Sequence, residues 1–327
     1  MVAWALEAQP LAEHIRPFLP HRDLPALADL IEVAFGEDLA LTGSRMVHDL
    51  RQMALAGALL RLARPMTDFL NGYVWIEDHE LVGNISVTHK GRGAWAVTNV
   101  AVLPEYRGRG IASQLVDTAI AHVRRQGGRR ILLQVRADNA HAQSLYTRRG
   151  WKKFDTWHEL NLAKSGWPTM LGPLDPALRP VRSGDGRDLY RLARSSIPLA
   201  TRIQLPLPTS EFQRDWRWAL SHWLQLTFTG CETLELVGPR SGEIAAYARL
   251  TVNLSNDPYD VVVRVAPSER GHWEVTLLEG LLILAYPLPR RDMRAYITAT
   301  HPEAVEAFRQ VGFRTLRVLD QMVLELG

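Results

Sequence analysis

The sequence predicts an α/β protein in which one mixed-sheet domain occurs twice. Three observations carry this expectation. Asn99-Val-Ala-Val-Leu-Pro-Glu-Tyr-Arg-Gly-Arg-Gly-Ile-Ala-Ser113 reads as a β-strand, a tight basic glycine loop and the first turn of a helix. A β-rich run, Ile131-Leu-Leu-Gln-Val-Arg136, then leads into Asp138-Asn-Ala-His-Ala-Gln-Ser-Leu-Tyr146-Thr-Arg-Arg-Gly150-Trp151. There Asp138 or Asn139 can cap a helix that Gly150 ends. Finally, the chain echoes itself. Arg16-Pro17 returns as Arg179-Pro180, Glu80-Leu-Val82 as Glu243-Ile-Ala245 and Pro104 as Pro267, each 163 residues on, and Ala142 returns as Ala304, 162 on. Echoes in nearly one register, each at the same kind of element, mark a duplicated unit.

The elements follow in order. Ile15–Asp23 begins as a short strand and turn. A helix follows from about Leu24 to Phe35, with Leu27, Leu30, Ile31 and Ala34 at helical spacing. Residues 36–64 read as a second helical region broken by Thr42-Gly-Ser44. Gly72–Glu77 and Leu81–Thr88 form a hairpin around Asp78-His-Glu80. Trp95–Val102 is the strand that enters the glycine loop. Ile111, Leu115, Ala119 and Val123 then line one face of a helix ended by Gly127-Gly128. Between Asn161 and Pro180 the prolines 168, 173, 176 and 180 interrupt regular structure. The expected organisation is a first domain over 1–163, a linker over 164–178 and a second domain over 179–327.

Composition fits 327 residues in two globular domains, with 46% hydrophobic and 22% charged residues. Thirty-eight Lys and Arg against 35 Asp and Glu are near balance and scattered, which speaks against nucleic acid. The longest apolar run, Leu277–Leu288, contains Glu279 and is too short to span a bilayer. One cysteine, Cys231, forms no internal disulfide and reads as a small buried hydrophobe. The N-terminus lacks a signal pattern. A soluble cytoplasmic protein, monomer or homodimer, is expected. The eleven histidines lack metal spacing, so no metal is expected.

A glycine loop at a helix start suits an anion, because the first backbone N–H groups lack partners and the helix dipole is positive there. Gly108 and Gly110 let a phosphate approach the backbone, and Arg107 and Arg109 add permanent charge. A dinucleotide turn is excluded: Ser113 stands at the third glycine position, and Gly128, Arg129 and Arg130 lie where an acid is required. No Gly-Lys-Ser/Thr follows, which excludes a P-loop.

What Arg107-Gly-Arg-Gly110-Ile-Ala112 does resemble is the acyl-CoA signature Arg/Gln-x-x-Gly-x-Gly/Ala of the GCN5-related N-acetyltransferases, the GNAT superfamily. Asn139, Ala142, Tyr146, Gly150 and Trp151 match the second stretch of that family, in the right order. The resemblance implies two tandem GNAT domains and an acetyl-CoA-dependent transfer to a primary amine on a small molecule or a protein. It implies that the backbone of Val100, Ala101 and Val102 pairs with the pantetheine arm. Arg107, Gly108, Arg109, Gly110, Ile111, Ala112 and Ser113 would then hold the pyrophosphate. Asn139 would contact the cofactor arm, and Tyr146 would sit near sulfur as general acid. Many members carry a glutamate on the strand before the loop, and Trp95–Val102 has no acid. Glu37, Asp38, His48 and His89 are the candidates for a base, each read first as a surface residue.

The second copy departs from this pattern. Arg270-Gly271 survive, but Trp273 stands at the place of Gly110, Val275 at that of Ala112 and Phe308 at that of Tyr146. An indole would fill the volume a pyrophosphate needs, and phenylalanine has no proton to donate. The second domain is therefore expected to be structural or to shape the acceptor site. Trp216, Trp218 and Trp223 read as helix core within it. The alternative to an enzyme is a non-catalytic acyl-CoA-binding sensor or an interaction protein.

Overall fold

The computed structural model describes residues 13–55, 71–169, 172–213, 232–252 and 258–327. The readings made for residues 1–12, for the end of the region 36–64, for the three tryptophans and for Cys231 fall outside these. The chain forms two compact units. One comprises Met1–Gln134, Ala140–Lys152 and Met322–Gly327, the other Val135–Asn139 and Lys153–Gln321.

In the first unit, β1 (Ile15–Pro17), β2 (Gly72–Glu77), β3 (Glu80–Gly91) and β4 (Ala94–Val102) pair antiparallel in sequence order. β5 (Arg130–Arg136) joins β4 in parallel. The β2–β3 turn falls where the sequence places it. Asp78 and His79 both take positive φ, the combination that matches a two-residue turn to strand twist. α1 (Pro20–Thr42) is longer than its apolar stripe foretells. Pro20 occupies its first turn, and Gly43 ends it with φ +58°, inside the predicted Thr42-Gly-Ser44 break. α2 (Met46–Leu55) follows, and Arg51 ties it to Asp29 and Glu32 of α1. α3 (Ile111–Arg125) buries Ile111, Leu115, Val116, Ala119, Ile120 and Val123, which include the four residues expected on its inner face. Each isoleucine, leucine and valine among them contributes roughly 1.5–3 kcal/mol when taken from water, and the alanine less. α4 (Ala140–Thr147) completes this unit.

In the second unit lies β6 (Lys152–Leu162) from Lys153 on, most of which pairs antiparallel with β11 (Met293–Thr298). From β7 (Arg179–Pro180) onward the order of elements repeats that of the first unit. α5 (Gly186–Ser196) and α6 (Leu199–Gln204) precede β8 (Glu232–Arg240), β9 (Glu243–Val252) and β10 (Tyr259–Val265). These strands are antiparallel neighbours, and β10 pairs in parallel with β11. α7 (Glu274–Ala285), α8 (Pro302–Gln310) and β12 (Arg314–Glu325) complete the series.

The echoes seen in the sequence recur as matching interactions. Arg16 makes a forked pair with Asp23 at 2.6 and 2.7 Å and donates to Pro17 O at 3.1 Å. Arg179 makes the same fork with Asp185 at 2.8 and 3.0 Å and donates to Pro180 O at 3.0 Å. Glu80 and Glu243 each follow a turn of two positive-φ residues, Asp78-His79 and Ser241-Gly242. Pro104 and Pro267 each open a short 3₁₀ turn after the strand. A planar guanidinium at the end of a first strand thus anchors each unit in the same way.

Candidate active site

The site is built on β4. Its pairing with β5 covers only Ala94–Ala96 against Arg130–Leu132, so β4 continues to Val102 without its parallel neighbour. On the other edge β4 stays with β3, through a bulge. The register runs Asn84 to Ala101 and then Ser86 to Thr98, which leaves an extra residue on β4. Asn99 lies within it at φ +52°, a conformation asparagine tolerates better than most residues. Leu103 donates its N–H to Val82 O on the β3 side at 2.9 Å. Successive backbone groups alternate, so the N–H groups of Val102 and Val100 face the side that β5 has left. An extended ligand arm can pair there as an added strand.

The glycine loop follows directly. Arg107 donates from Nε to Val102 O at 3.1 Å and fixes the loop to the end of β4. Gly108 and Gly110 have φ +80° and +79°, and a Cβ at either would meet no atom within 4 Å. Backbone conformation and open space, rather than crowding, therefore call for glycine. Gly110 is the N-cap of α3, no side chain caps that end, and the first turn carries no acid. Helical pairing begins with Gln114 N–H on Gly110 O at 3.1 Å. The N–H groups of Ile111, Ala112 and Ser113 thus point into a cradle of the right polarity for a phosphate. Arg109 does not add its charge freely. It pairs with Glu77 at 3.1 Å, donates to Glu105 O and lies over the Tyr106 ring.

Tyr146 sits on α4, 6% exposed, edge-on to Trp151 at 5.6 Å. Burial pushes its phenol up to about 12, so it stays protonated at neutral pH. Arg149, just past the end of α4, donates from Nε and Nη2 to the two carboxylate oxygens of Asp117 on α3, at 2.7 and 2.9 Å. α4 is thereby fixed to the helix that starts at the glycine loop. Asn139 precedes α4, is exposed, and is counted with the second unit. Among the four candidates for a base, His48 is engaged with Gln52 at the surface and His89 packs edge-on against Trp95. Glu37 is exposed and Asp38 half-buried on α1.

The matching helix start in the second unit is filled from within. Trp273 is the N-cap of α7 and is buried, its ring seated over Gly238, where a Cβ would lie 2.6 Å from the indole. Glu274, 1% exposed, follows at the first helical position. Its Oε1 meets His301 Nε2 at 2.7 Å, and its Oε2 accepts from Trp273 N–H at 3.2 Å. Burial pushes this carboxyl up. The His301 contact and backbone hydrogen bonds, one from Gly271, outweigh it and leave the group below its usual range. Arg270 donates to Thr300 O and Ser196 O. Phe308 is fully buried, edge-on to Phe313 at 4.8 Å, as Tyr146 is to Trp151. Sequence reading finds Trp273 and Phe308 but misses Glu274 and His301. It also misses Asn84 on β3, whose Nδ2 donates to Asn99 O at 3.0 Å. A lone asparagine inside the apolar run Leu81–Val87 was the available signal.

A half-splayed sheet edge beside an uncapped glycine turn offers backbone donors to an extended, anionic ligand. Residues 46–151 match the model of the Acetyltransferase (GNAT) family. Over 117 residues the chain is 35% identical to a mycothiol acetyltransferase of Geodermatophilus obscurus. That match takes in 34% of this chain and 35% of the relative, so the chain spans about a third of the curated relative it matches. The fold of the whole chain is shared with a GCN5-related N-acetyltransferase from Sphaerobacter thermophilus, at TM-score 0.64, 17% identity and 97% coverage of both chains. It is also shared with a tandem GNAT protein from the clavulanic acid biosynthesis pathway, at TM-score 0.54 and 17% identity, over 96% of this chain and 98% of that one. At these identities the likeness is one of fold.

Proposed function

We propose that the chain is an acetyl-CoA-dependent N-acetyltransferase whose cofactor site lies in its first unit, with domains over 1–163 and 179–327 as two copies of one ancestor. The observation that supports this most is the pairing of a splayed β4 edge with the open, uncapped start of α3. The N–H groups of residues 108–113 hold the pyrophosphate, and the free edge of Val100–Val102 holds the pantetheine arm. Acetyl-CoA supplies the activated acetyl group. An N–H at the end of β4 polarises the thioester carbonyl. The acceptor nitrogen forms a bond to the carbonyl carbon, the carbon–sulfur bond breaks, and the electron pair leaves on sulfur. Tyr146 gives its proton to that sulfur, and burial keeps the proton in place until then. The surplus proton on nitrogen leaves to solvent, from which Tyr146 regains its own. Asn139 touches the cofactor arm. The second unit, its helix start closed by Trp273 and Glu274, carries no cofactor.

The acceptor is a primary amine, and the name of the 35%-identical relative makes an amine on a small molecule the first to try. The test is release of free thiol from acetyl-CoA across a panel of small amines and peptides. Amine-dependent thiol release supports the proposal. Tight acetyl-CoA binding with no release for any acceptor favours a non-catalytic acyl-CoA sensor instead.

A further inference from the structure

We infer that Asn84 is a positioning residue for the acyl carrier: it sets the direction of the β4 edge that receives the pantetheine arm. The inference rests on the acyl-CoA reading above and deepens it. Asn84 is 1% exposed in the buried stretch Leu81–Thr88 of β3, where the other polar side chains are the hydroxyls of Ser86 and Thr88. A polar side chain so buried must be hydrogen-bonded, and here the partner is a backbone carbonyl inside the bulge. Nδ2 donates to Asn99 O at 3.0 Å, and to Ser86 Oγ at 3.5 Å. Asn99 Nδ2 reaches the same Ser86 Oγ at 3.4 Å.

An extra residue on β4 would ordinarily leave the bulge carbonyl without a ladder partner. The Asn84 amide supplies that partner from across the sheet. With Asn99 O drawn toward β3, the following residues leave the bulge with Ala101 and Val102 back in register on Asn84 and Gly83. The N–H groups of Val100 and Val102 are then turned to the edge without β5. The Asn84 amide donates to Ser86 Oγ and Asn99 O, on β3 and β4 before the glycine loop. Its effect is therefore confined to the arm and should not reach the phosphates.

The experiment compares wild type, Asn84→Asp and Asn84→Leu by calorimetric titration with two ligands, acetyl-CoA and 3′-phospho-ADP, the half of the cofactor without the arm. Thermal unfolding of each protein runs alongside. The expected result for Asn84→Asp is about tenfold weaker acetyl-CoA binding, the scale of one lost hydrogen bond, with 3′-phospho-ADP binding unchanged. Lowering the pH restores acetyl-CoA binding in this variant, because a protonated carboxyl can again donate to Asn99 O. Equal loss of both ligands, or no loss of either, overturns the assignment of Asn84 while leaving the acyl-CoA reading intact. Failure of wild type to bind either ligand overturns that reading and this assignment with it. If Asn84→Leu does not fold, Asn84→Asp alone decides.

Discussion

Two helix starts stand at matching places in the order of elements and have opposite contents. At α3, Gly110 leaves the cap position bare, the first turn has no acid, and no side chain caps the first N–H groups. At α7, Trp273 fills the same position with an indole, and Glu274 brings its own carboxylate to the helix start, held by His301. The need is the same in both, since a helix N-terminus must have its donors satisfied. The first leaves its donors to an anion from outside, as proposed above, and the second meets the need from inside with a side chain. A buried carboxylate and an aromatic ring can thus close a helix start that would otherwise stay open.

The largest effect expected from breaking this contrast is in Gly110→Trp. It places the second unit's residue in the first, at a φ of +79° that an indole-bearing residue rarely adopts. Acetyl-CoA binding, followed by calorimetry, is abolished. Next comes Tyr146→Phe, which copies the second unit's Phe308. It lowers kcat by about 10²-fold or more, the range for loss of a general acid, and leaves the acetyl-CoA affinity within about twofold. Stopped-flow thiol release separates the two quantities.

Glu274→Ala acts on stability alone. It strands His301 and the Trp273 N–H in a buried place and costs roughly 3 kcal/mol, read from denaturant unfolding, with acetyl-CoA binding unchanged. The pH dependence has a definite sign. The folded carboxyl of Glu274 is held below its unfolded value, so its contribution is present above the ordinary carboxylate range and fades as pH falls through the depressed value. Wild type should lose this increment on acidification, and Glu274→Gln should not. The smallest effect is in Glu77→Gln. It releases Arg109 from an exposed pair worth about 0.2–1 kcal/mol, and it tightens acetyl-CoA binding two- to threefold at low salt.

The sequence carried the framework for a physical reason: its signals were local. The Asp78-His79 turn, the break at Gly43, the glycine loop and the inner face of α3 each depend on residues a few positions apart. The Arg16 and Arg179 forks were visible only as an echo, yet they proved to be the same interaction made twice. What escaped were contacts between distant residues. Glu274 meets His301 across 27 positions, and Asn84 meets Asn99 across 15. Nothing in either neighbourhood marks the partner. Arg109 shows the opposite failure. Its charge was legible, but its engagement by Glu77, 32 residues away, was not.

The most direct test is the stoichiometry of acetyl-CoA binding, measured by calorimetry on wild type and on Gly110→Trp. One equivalent bound by wild type and none by the variant places the only cofactor site at the start of α3. Two equivalents bound by wild type, or full binding retained by Gly110→Trp, would contradict the division into one open and one self-filled helix start.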